Sequence, residues 1–335
     1  MNAAAAVPFP AFAPSHPGAA RAPDAAPAVR KRADGRFYTR GNPFVHAAFR
    51  IWAARAGLPQ TPVLEPFAGA NNLIRMLRAV NLCESFAAFD IMPGDESVAR
   101  RDTLSDFPEN FRVCVTNPPW LARNSATRRG LPFPQTRYDD LYKHCLALCL
   151  RRCGYVAALA PESFIRSGLF LSRLSAFVSL NSAMFADTEH PVGLALFAPR
   201  PESSAVIYGG ARKLCALSAL REHRPPKSSD KKIVFNAPDG NLGLIALDNH
   251  FRASIRFCDP AELDGYEVRH SCRAITKIRV PGRPKIGEYN RFLNAFRDKT
   301  GDVFLTAYRG LRKDGFYRRR LDYALARDIV GHVGF

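Results

Sequence analysis

The chain lacks any apolar run of the ~18–20 residues that would cross a bilayer, and it has no basic amphipathic helix leading into a lipid-anchor signal. Membrane-spanning and lipid-anchored classes are set aside on that ground. It also lacks any Cys-x-x-Cys pair: its eight Cys are scattered without ordered spacing. A chain of 335 residues, 47% of them hydrophobic, can bury a core without staples. The cysteine pattern therefore fits a reducing interior better than a disulfide framework. Cys145, Cys149 and Cys153 fall four apart beside His144, which places them on one helical stripe. Zinc sites use tighter ligand pairs, so the stripe reads as core. Acid is scarce as well. With 48 Lys and Arg against 30 Asp and Glu, the net charge is +18 and the pI near 10.0. Such an excess favours a polyanionic partner, of which nucleic acid is the commonest for a soluble protein.

What is present begins with an Ala/Pro-rich tail. Residues 1–30 carry little that could form a core and read as disordered. Pro at positions 8, 10, 14, 17, 23 and 27 would break the amphipathic helix of a transit peptide, which leaves a targeting role for this tail an open alternative. A basic Arg30-Lys31-Arg32 leads into Arg36-Phe37-Tyr38-Thr39. The next spacing predicts a helix over Pro43–Ala56, with Phe44, Ala48, Ile51, Trp52 and Ala56 as its apolar residues and Gly57 as its stop.

A strand over Pro62–Phe67 runs through Glu65-Pro66-Phe67-Ala68-Gly69-Ala70-Asn71-Asn72 into a helix over Leu73–Val80, a strand, Gly turn and helix of the nucleotide-binding type. The apolar run Ser85–Phe89 ends in Asp90, which lies 25 residues after Glu65. That is close to the ~20-residue spacing at which an acid on the second strand meets ribose hydroxyls. Asp102 follows, and then the apolar run Phe111–Val115 enters Thr116-Asn117-Pro118-Pro119-Trp120. Proline has no N–H, so the strand must stop there, at the end where open parallel sheets bind ligands. The tetrapeptide presents an amide, two rigidly placed carbonyls and an indole. These suit a flat ring bearing an amino group: Asn117 and the Pro118 carbonyl can each accept a hydrogen bond from that group, and stacking on Trp120 is worth ~1–3 kcal/mol. A Pro-Pro loop with a core Trp is the alternative reading of the same four residues.

Asn117-Pro118-Pro119-Trp120 resembles the Asn/Asp-Pro-Pro-aromatic motif of S-adenosylmethionine-dependent amino-methyltransferases, above all the DNA adenine-N6 enzymes. Glu65-Pro66-Phe67-Ala68-Gly69 is similar to the cofactor-binding motif of that family. Phe37-Tyr38-Thr39 is similar to the motif that wraps the methionine end, and its place upstream gives the gamma order. The resemblance covers about residues 36 to 200. It implies S-adenosyl-L-methionine as cofactor, held by Phe37, Tyr38, Thr39, Glu65, Phe67, Ala68, Gly69, Asp90, Asp102 and Asn117, with Asp90 on the ribose and Asp102 on the adenine amino group. It implies Asn117, Pro118, Pro119 and Trp120 as the catalytic residues, with no metal and no covalent intermediate. Two departures stand out: Asn71 replaces the usual second Gly, and Arg40-Gly41-Asn42 replaces an early Pro. Asn tolerates a left-handed backbone better than most residues.

The resemblance and the strand–helix alternation together imply an α/β, class I methyltransferase (Rossmann-like) fold with a seven-stranded, mostly parallel sheet. A helix is expected over Asp139–Arg152 and a strand over Gly154–Pro161, with Ser182–Ala186 and Val192–Ala198 as the closing pair. Phe185 or His190 is the candidate second aromatic for the base. Three regions follow: the tail 1–30, a catalytic domain 31–200 and a basic target-recognition region 201–335. Between Arg269 and Arg320 there are 15 Lys and Arg against 4 Asp and Glu, a net of +11. Clustered Arg with aromatics between them suits phosphate contact and stacking. The expected nucleic-acid contacts are Arg123, Arg128 and Arg129 in the loop 121–138, then Arg283, Lys285, Arg312, Lys313, Arg318, Arg319 and Arg320; a solvated basic surface is the alternative. The expected activity is methylation of the exocyclic nitrogen of a flipped adenine in double-stranded DNA, in a cytoplasm of bacterial or phage-host type. The resemblance brings a restriction-modification setting into view and leaves open whether a partner restriction nuclease exists; no nuclease-type carboxylate cluster is visible in the chain. RNA adenine and protein-glutamine methylation, and a non-catalytic DNA-binding scaffold, remain alternatives.

Overall fold

A computed structural model describes residues 41–180, 184, 190–200, 204–266 and 273–335. The tail 1–30 and the Phe37-Tyr38-Thr39 motif lie outside the described residues. Among the described residues nine strands form one sheet: β1 Val63–Glu65, β2 Phe86–Asp90, β3 Ala99–Arg100, β4 Val113–Thr116, β5 Tyr155–Pro161, β6 Leu174–Leu180, β7 Val192–Phe197, β8 Val206–Gly209 and β9 Arg212–Ala216. Their order is β3-β2-β1-β4-β5-β7-β6-β8-β9. The first five are mutually parallel, and β7 runs antiparallel between β5 and β6. The first seven strands have the order and the single reversed strand of a class I methyltransferase sheet, as expected; β8, parallel to β6, and β9, antiparallel to β8, extend it.

Local chemistry sets the elements. Helix α1 (Ala47–Ala56) is preceded by a 3-10 turn at Pro43–Val45, where the Asn42 side chain accepts from the Phe44 N–H. It ends at Gly57, whose φ of 82° is the left-handed conformation that glycine adopts without cost. Its Trp52 Nε1 donates to the Phe197 carbonyl at 2.8 Å and so pins the helix to β7. Ile51, expected on the apolar face, points to solvent, and Phe49 and Ala53 are buried instead. Helix α2 (Asn72–Arg78) follows the Gly turn. A short helix α3 (Arg123–Arg128) forms within the loop after β4. In α4 (Leu141–Arg152), Asp140 caps the amino end, and Cys145 and Cys149 lie on the buried face with Cys153 just beyond, beneath Cys114 of β4. A single turn, α5 (Phe164–Ser167), follows β5.

Two sequence expectations are corrected here. The hairpin partner of Val192–Phe197 is β6 at Leu174–Leu180, not Ser182–Ala186, most of which lies outside the described residues. The division at residue 200 also falls inside the sheet, because β8 and β9 continue it. Beyond helix α6 (Leu217–Glu222) come β10 Val234–Phe235, β11 Leu242–Ile245, β12 Arg256–Cys258 and β13 Ile275–Arg279, an antiparallel sheet ordered β10-β13-β11-β12. Helices α7 (Ile286–Thr300) and α8 (Tyr323–Val333) flank a hairpin of β14 Thr306–Leu311 and β15 Tyr317–Arg320. One hydrophobic cluster runs from Leu64 and Cys114 under the large sheet through to Leu293 and Ile329 of these helices. The C-terminal region therefore shares its core with the sheet. Among the described residues no helix is long and apolar enough to cross a membrane.

Candidate functional site

Strands β1, β2 and β4 end side by side, and a cavity of about 440 Å³ opens at their carboxyl ends. Its wall brings together residues far apart in sequence: Glu65, Phe67, Ala68 and Gly69 after β1, Asp90 at the end of β2, Asp102, and Asn117 with Pro119 after β4. These include every expected cofactor residue among the described ones. Pro118 is buried and Trp120 half-buried, and neither lines this cavity. Trp120 packs against both main hydrophobic clusters instead, so the open stacking face expected of it is not part of the cavity wall.

The turn after β1 is held from three sides. The Asp90 carboxylate accepts from the Gly69 N–H at 2.8 Å with one oxygen and from the Met92 N–H at 2.8 Å with the other. Thr103 Oγ1 donates to the Pro66 carbonyl at 2.8 Å. Asn71 has φ 58° and ψ 28°, the left-handed conformation anticipated for it, and its Nδ2 donates to Ser97 Oγ at 2.8 Å. The residue standing where a glycine is usual thus adopts the glycine-like backbone and adds a side-chain bond.

Glu65 is 1% exposed. Its Oε1 accepts from the Thr116 hydroxyl at 2.7 Å and the Phe67 N–H at 3.2 Å, while Oε2 is buried with no hydrogen-bond partner among the described residues. Burial pushes this carboxyl up to about 8. The Thr116 and Phe67 bonds oppose that rise, and the negative charge of Asp90 adds to it. A buried carboxyl without a cation is costly when ionised. Asp102 is exposed and accepts from the Leu104 N–H at 3.1 Å.

Sequence reasoning missed the apolar part of the wall. Ile91 and Met92 directly follow Asp90 and are 51% and 62% exposed while lining the cavity. Leu121, Leu131 and Pro132, from the loop read as a phosphate contact, form another part of the wall. The available signal was an apolar pair placed after a strand-ending acid, where a turn would ordinarily be polar. Together these groups give a site that can take a cation at Glu65, hydroxyls at Asp90 and a flat apolar ring between side chains, with an amide at Asn117.

The basic residues divide. Arg123 is a staple of its own loop: it donates to the carbonyls of Thr136 and Tyr138, and its guanidinium lies 4.8 Å from the Phe133 ring centre. Arg128, Arg129 and Arg283 are exposed, and Lys285 is half-buried at the start of α7. Arg312, Arg318 and Arg319 are buried, which corrects their assignment as phosphate contacts. Arg319 makes a two-bond pair with Glu162 at 2.7 and 2.9 Å, Arg312 pairs with Asp248 at 2.9 Å, and Arg318 Nε donates to the Asp248 carbonyl at 2.8 Å. Arg320 is half-buried against Asp322 at 3.3 Å. Lys313 is exposed. His190 is half-buried 3.1 Å from Arg309 Nη2, and burial together with that guanidinium lowers its pKa; Phe185 lies outside the described residues.

No protein-family profile matches the chain, and no curated protein sequence matches it at a significant level. Solved structures do. A type I restriction-modification system methyltransferase subunit from Streptococcus thermophilus is 14% identical, over 56% of this chain and 52% of that one, with a TM-score of 0.37. The M protein of the type I restriction enzyme EcoKI is 12% identical, over 47% of each chain, at 0.34. The type IIG restriction endonuclease BpuSI is 15% identical, over 71% of this chain and 33% of that one, at 0.37. The chain spans about half the length of several of the structures it matches. Similarity this low describes the neighbours and not the activity of this chain; the strand order above carries the architecture by itself.

Proposed function

We propose that this chain transfers a methyl group from S-adenosyl-L-methionine to the exocyclic N6 of an adenine flipped out of double-stranded DNA. The observation that carries the reading is the shared cavity: Asn117 and Pro119 lie in the same wall as Glu65, Asp90 and Asp102. The residues fit the cofactor. Glu65 Oε2 is a buried acceptor without a partner among the described residues, suited to an ammonium. Asp90 has its carboxylate oriented by two N–H groups and keeps lone pairs for ribose hydroxyls. Ile91 and Met92 offer apolar faces to a purine, and Asp102 an acceptor for its amino group. Bound there, the cofactor supplies an electrophilic methyl on its sulfonium.

The chain's own part is positioning and charge stabilisation. Asn117, through its side-chain oxygen, and the Pro118 carbonyl accept hydrogen bonds from the adenine amino group and turn its lone pair away from the ring. Pro119 restricts the backbone of Pro118, so this carbonyl is fixed in advance. Both acceptors interact more strongly as the nitrogen gains positive charge, which is where catalysis is obtained. The +18 charge of the chain supports a polyanionic substrate.

The test is transfer of labelled methyl to unmethylated genomic DNA, total RNA and a protein extract in parallel, followed by nucleoside analysis. N6-methyladenine in DNA supports the reading; label in RNA alone or protein alone overturns the substrate. Asn117→Ala is expected to lower transfer by about 10²–10³-fold with cofactor binding retained, and wild-type activity in that variant would remove Asn117 from the mechanism.

A further inference from the structure

The two exposed phenylalanines of the described residues, Phe251 at 50% and Phe316 at 48%, belong to one corner of the molecule, with Leu311 beside them at 37%. The turn of the β14–β15 hairpin meets residues 249–252 there, because the Lys313 N–H donates to the His250 carbonyl at 2.8 Å. The Lys313 ammonium lies 4.6 Å from the Phe251 ring centre, and the Arg312 guanidinium 5.7 Å from that of Phe316. Arg252, Arg309 and Lys313 are exposed cations. Among the described residues the acids of this corner are already engaged: Asp248 is fully buried, and Asp314, though exposed, is paired with Arg312 at 3.0 and 3.1 Å.

The corner is rigidly founded and stands on the side of the cavity. Asp248 accepts from Arg297, Arg312 and the N–H groups of Ser254, Ile255 and Arg319, fixing both of its segments to one buried carboxylate. Arg319 is locked to Glu162, the residue directly after β5, and Arg309 reaches His190, just before the reversed strand β7. Both contacts are made at the carboxyl edge of the parallel strands, the edge that carries Asn117.

We propose that this corner is an arm that grips the DNA strand beside the target adenine, with Phe251 and Phe316 as apolar and stacking faces and Arg252, Arg309 and Lys313 as phosphate contacts. The proposal rests on the DNA reading above and deepens it. Alternating ring faces and cations, with the exposed Asp314 held by Arg312, are the pattern that holds single or splayed strands. The buried Arg312, Arg318 and Arg319 support the arm without touching the substrate.

The test is fluorescence anisotropy of the full chain on an adenine-containing DNA duplex over a salt series, with cofactor binding by calorimetry on each variant as the measure of a folded site. F251A/F316A is expected to bind about tenfold or more weakly, with an unchanged salt slope. R252Q/R309Q/K313Q is expected to lower the salt slope by about three. A matched triple elsewhere, R50Q/R55Q/R151Q, removes the same charge from α1 and α4 and is expected to leave the slope near wild type. The arm is overturned if both arm variants bind within twofold of wild type, or if the matched triple falls as far as the arm triple. Absence of any DNA binding by the wild-type chain at low salt overturns the DNA reading itself, and the arm with it.

Discussion

Two regions of this molecule bury carboxyl groups to the same depth and treat them oppositely. Glu65, in the cavity wall, is given a hydroxyl and one backbone N–H but, among the described residues, no cation, and burial pushes it up to about 8. Asp248, behind the hairpin, is fully buried and is given two guanidinium groups and three backbone N–H groups. Burial raises its pKa too, but the bonds to Arg297 outweigh that and hold it below the usual carboxylate range. The difference lies in who supplies the positive charge. The folded chain completes Asp248 and Glu162 itself, so they are frame; it leaves Glu65 incomplete, so a proton or a ligand must finish it.

Substitutions at four positions would break or sharpen that contrast. The largest effect is expected from Asp248→Ala, which removes the fully buried carboxylate shared by Arg297 and Arg312 and leaves them, among the described residues, only Asp302 and Asp314; it should cost about 3–5 kcal/mol in urea unfolding, and a loss under ~1 kcal/mol would mean the network is no frame. Glu65→Gln should act on ligand and pH. Losing a charged hydrogen-bond partner should weaken S-adenosylmethionine binding by about 10–100-fold. In the empty protein the sign reverses. The native carboxyl holds its proton up to about 8, whereas the unfolded one releases it near 4.5. Its stabilising contribution is thus complete below 4.5 and falls away as pH rises toward 8. Glu65→Gln should remove that decline, so thermal melts at pH 5 and pH 8 should lie closer together than in wild type; an unchanged gap would contradict the assignment.

A smaller effect is expected from Asn71→Ala. A left-handed φ of 58° with a β-carbon and no local bond costs about 1–2 kcal/mol, and the bond to Ser97 is lost as well. Rescue of stability by Asn71→Gly to within about 1 kcal/mol of wild type would assign the cost to the backbone. Smallest of all is the solvent counterpart of the buried pairs, Arg152 with Glu109, whose side chains are 46% and 64% exposed. Arg152→Ala should change unfolding by less than about 0.5 kcal/mol, and a larger loss would erase the distinction between frame and surface.

Much of the fold was legible because its signals are local. Proline after an apolar run stops β4 where Asn117 begins, a glycine turn joins β1 to α2, and Asp140 starts α4, each within a few residues. The cavity could be assembled from the strand ends once a parallel sheet was assumed, and the tolerance of Asn71 for left-handed backbone was readable from its side chain. The fate of the arginines was not. Arg319 and Lys313 look alike in a run of basic residues, yet one is buried against Glu162, 157 positions earlier, and the other is exposed. Charge belongs to a residue and can be counted; desolvation belongs to its neighbours in space and cannot. The same limit hid Ile91 and Met92, whose exposure becomes meaningful only beside a cavity.

The pairing of Glu162 with Arg319 has a consequence for how such a protein can change over time. Glu162 acts as a socket at the rim of the large sheet, and the hairpin carries the plug. A C-terminal segment exchanged for another must bring an arginine to the same place or leave the Glu162 carboxylate without its guanidinium against the core. The seam for such a graft also lies after Ala216, where the sheet ends, and not at the composition break near residue 200. The two regions are therefore matched halves that must be exchanged together.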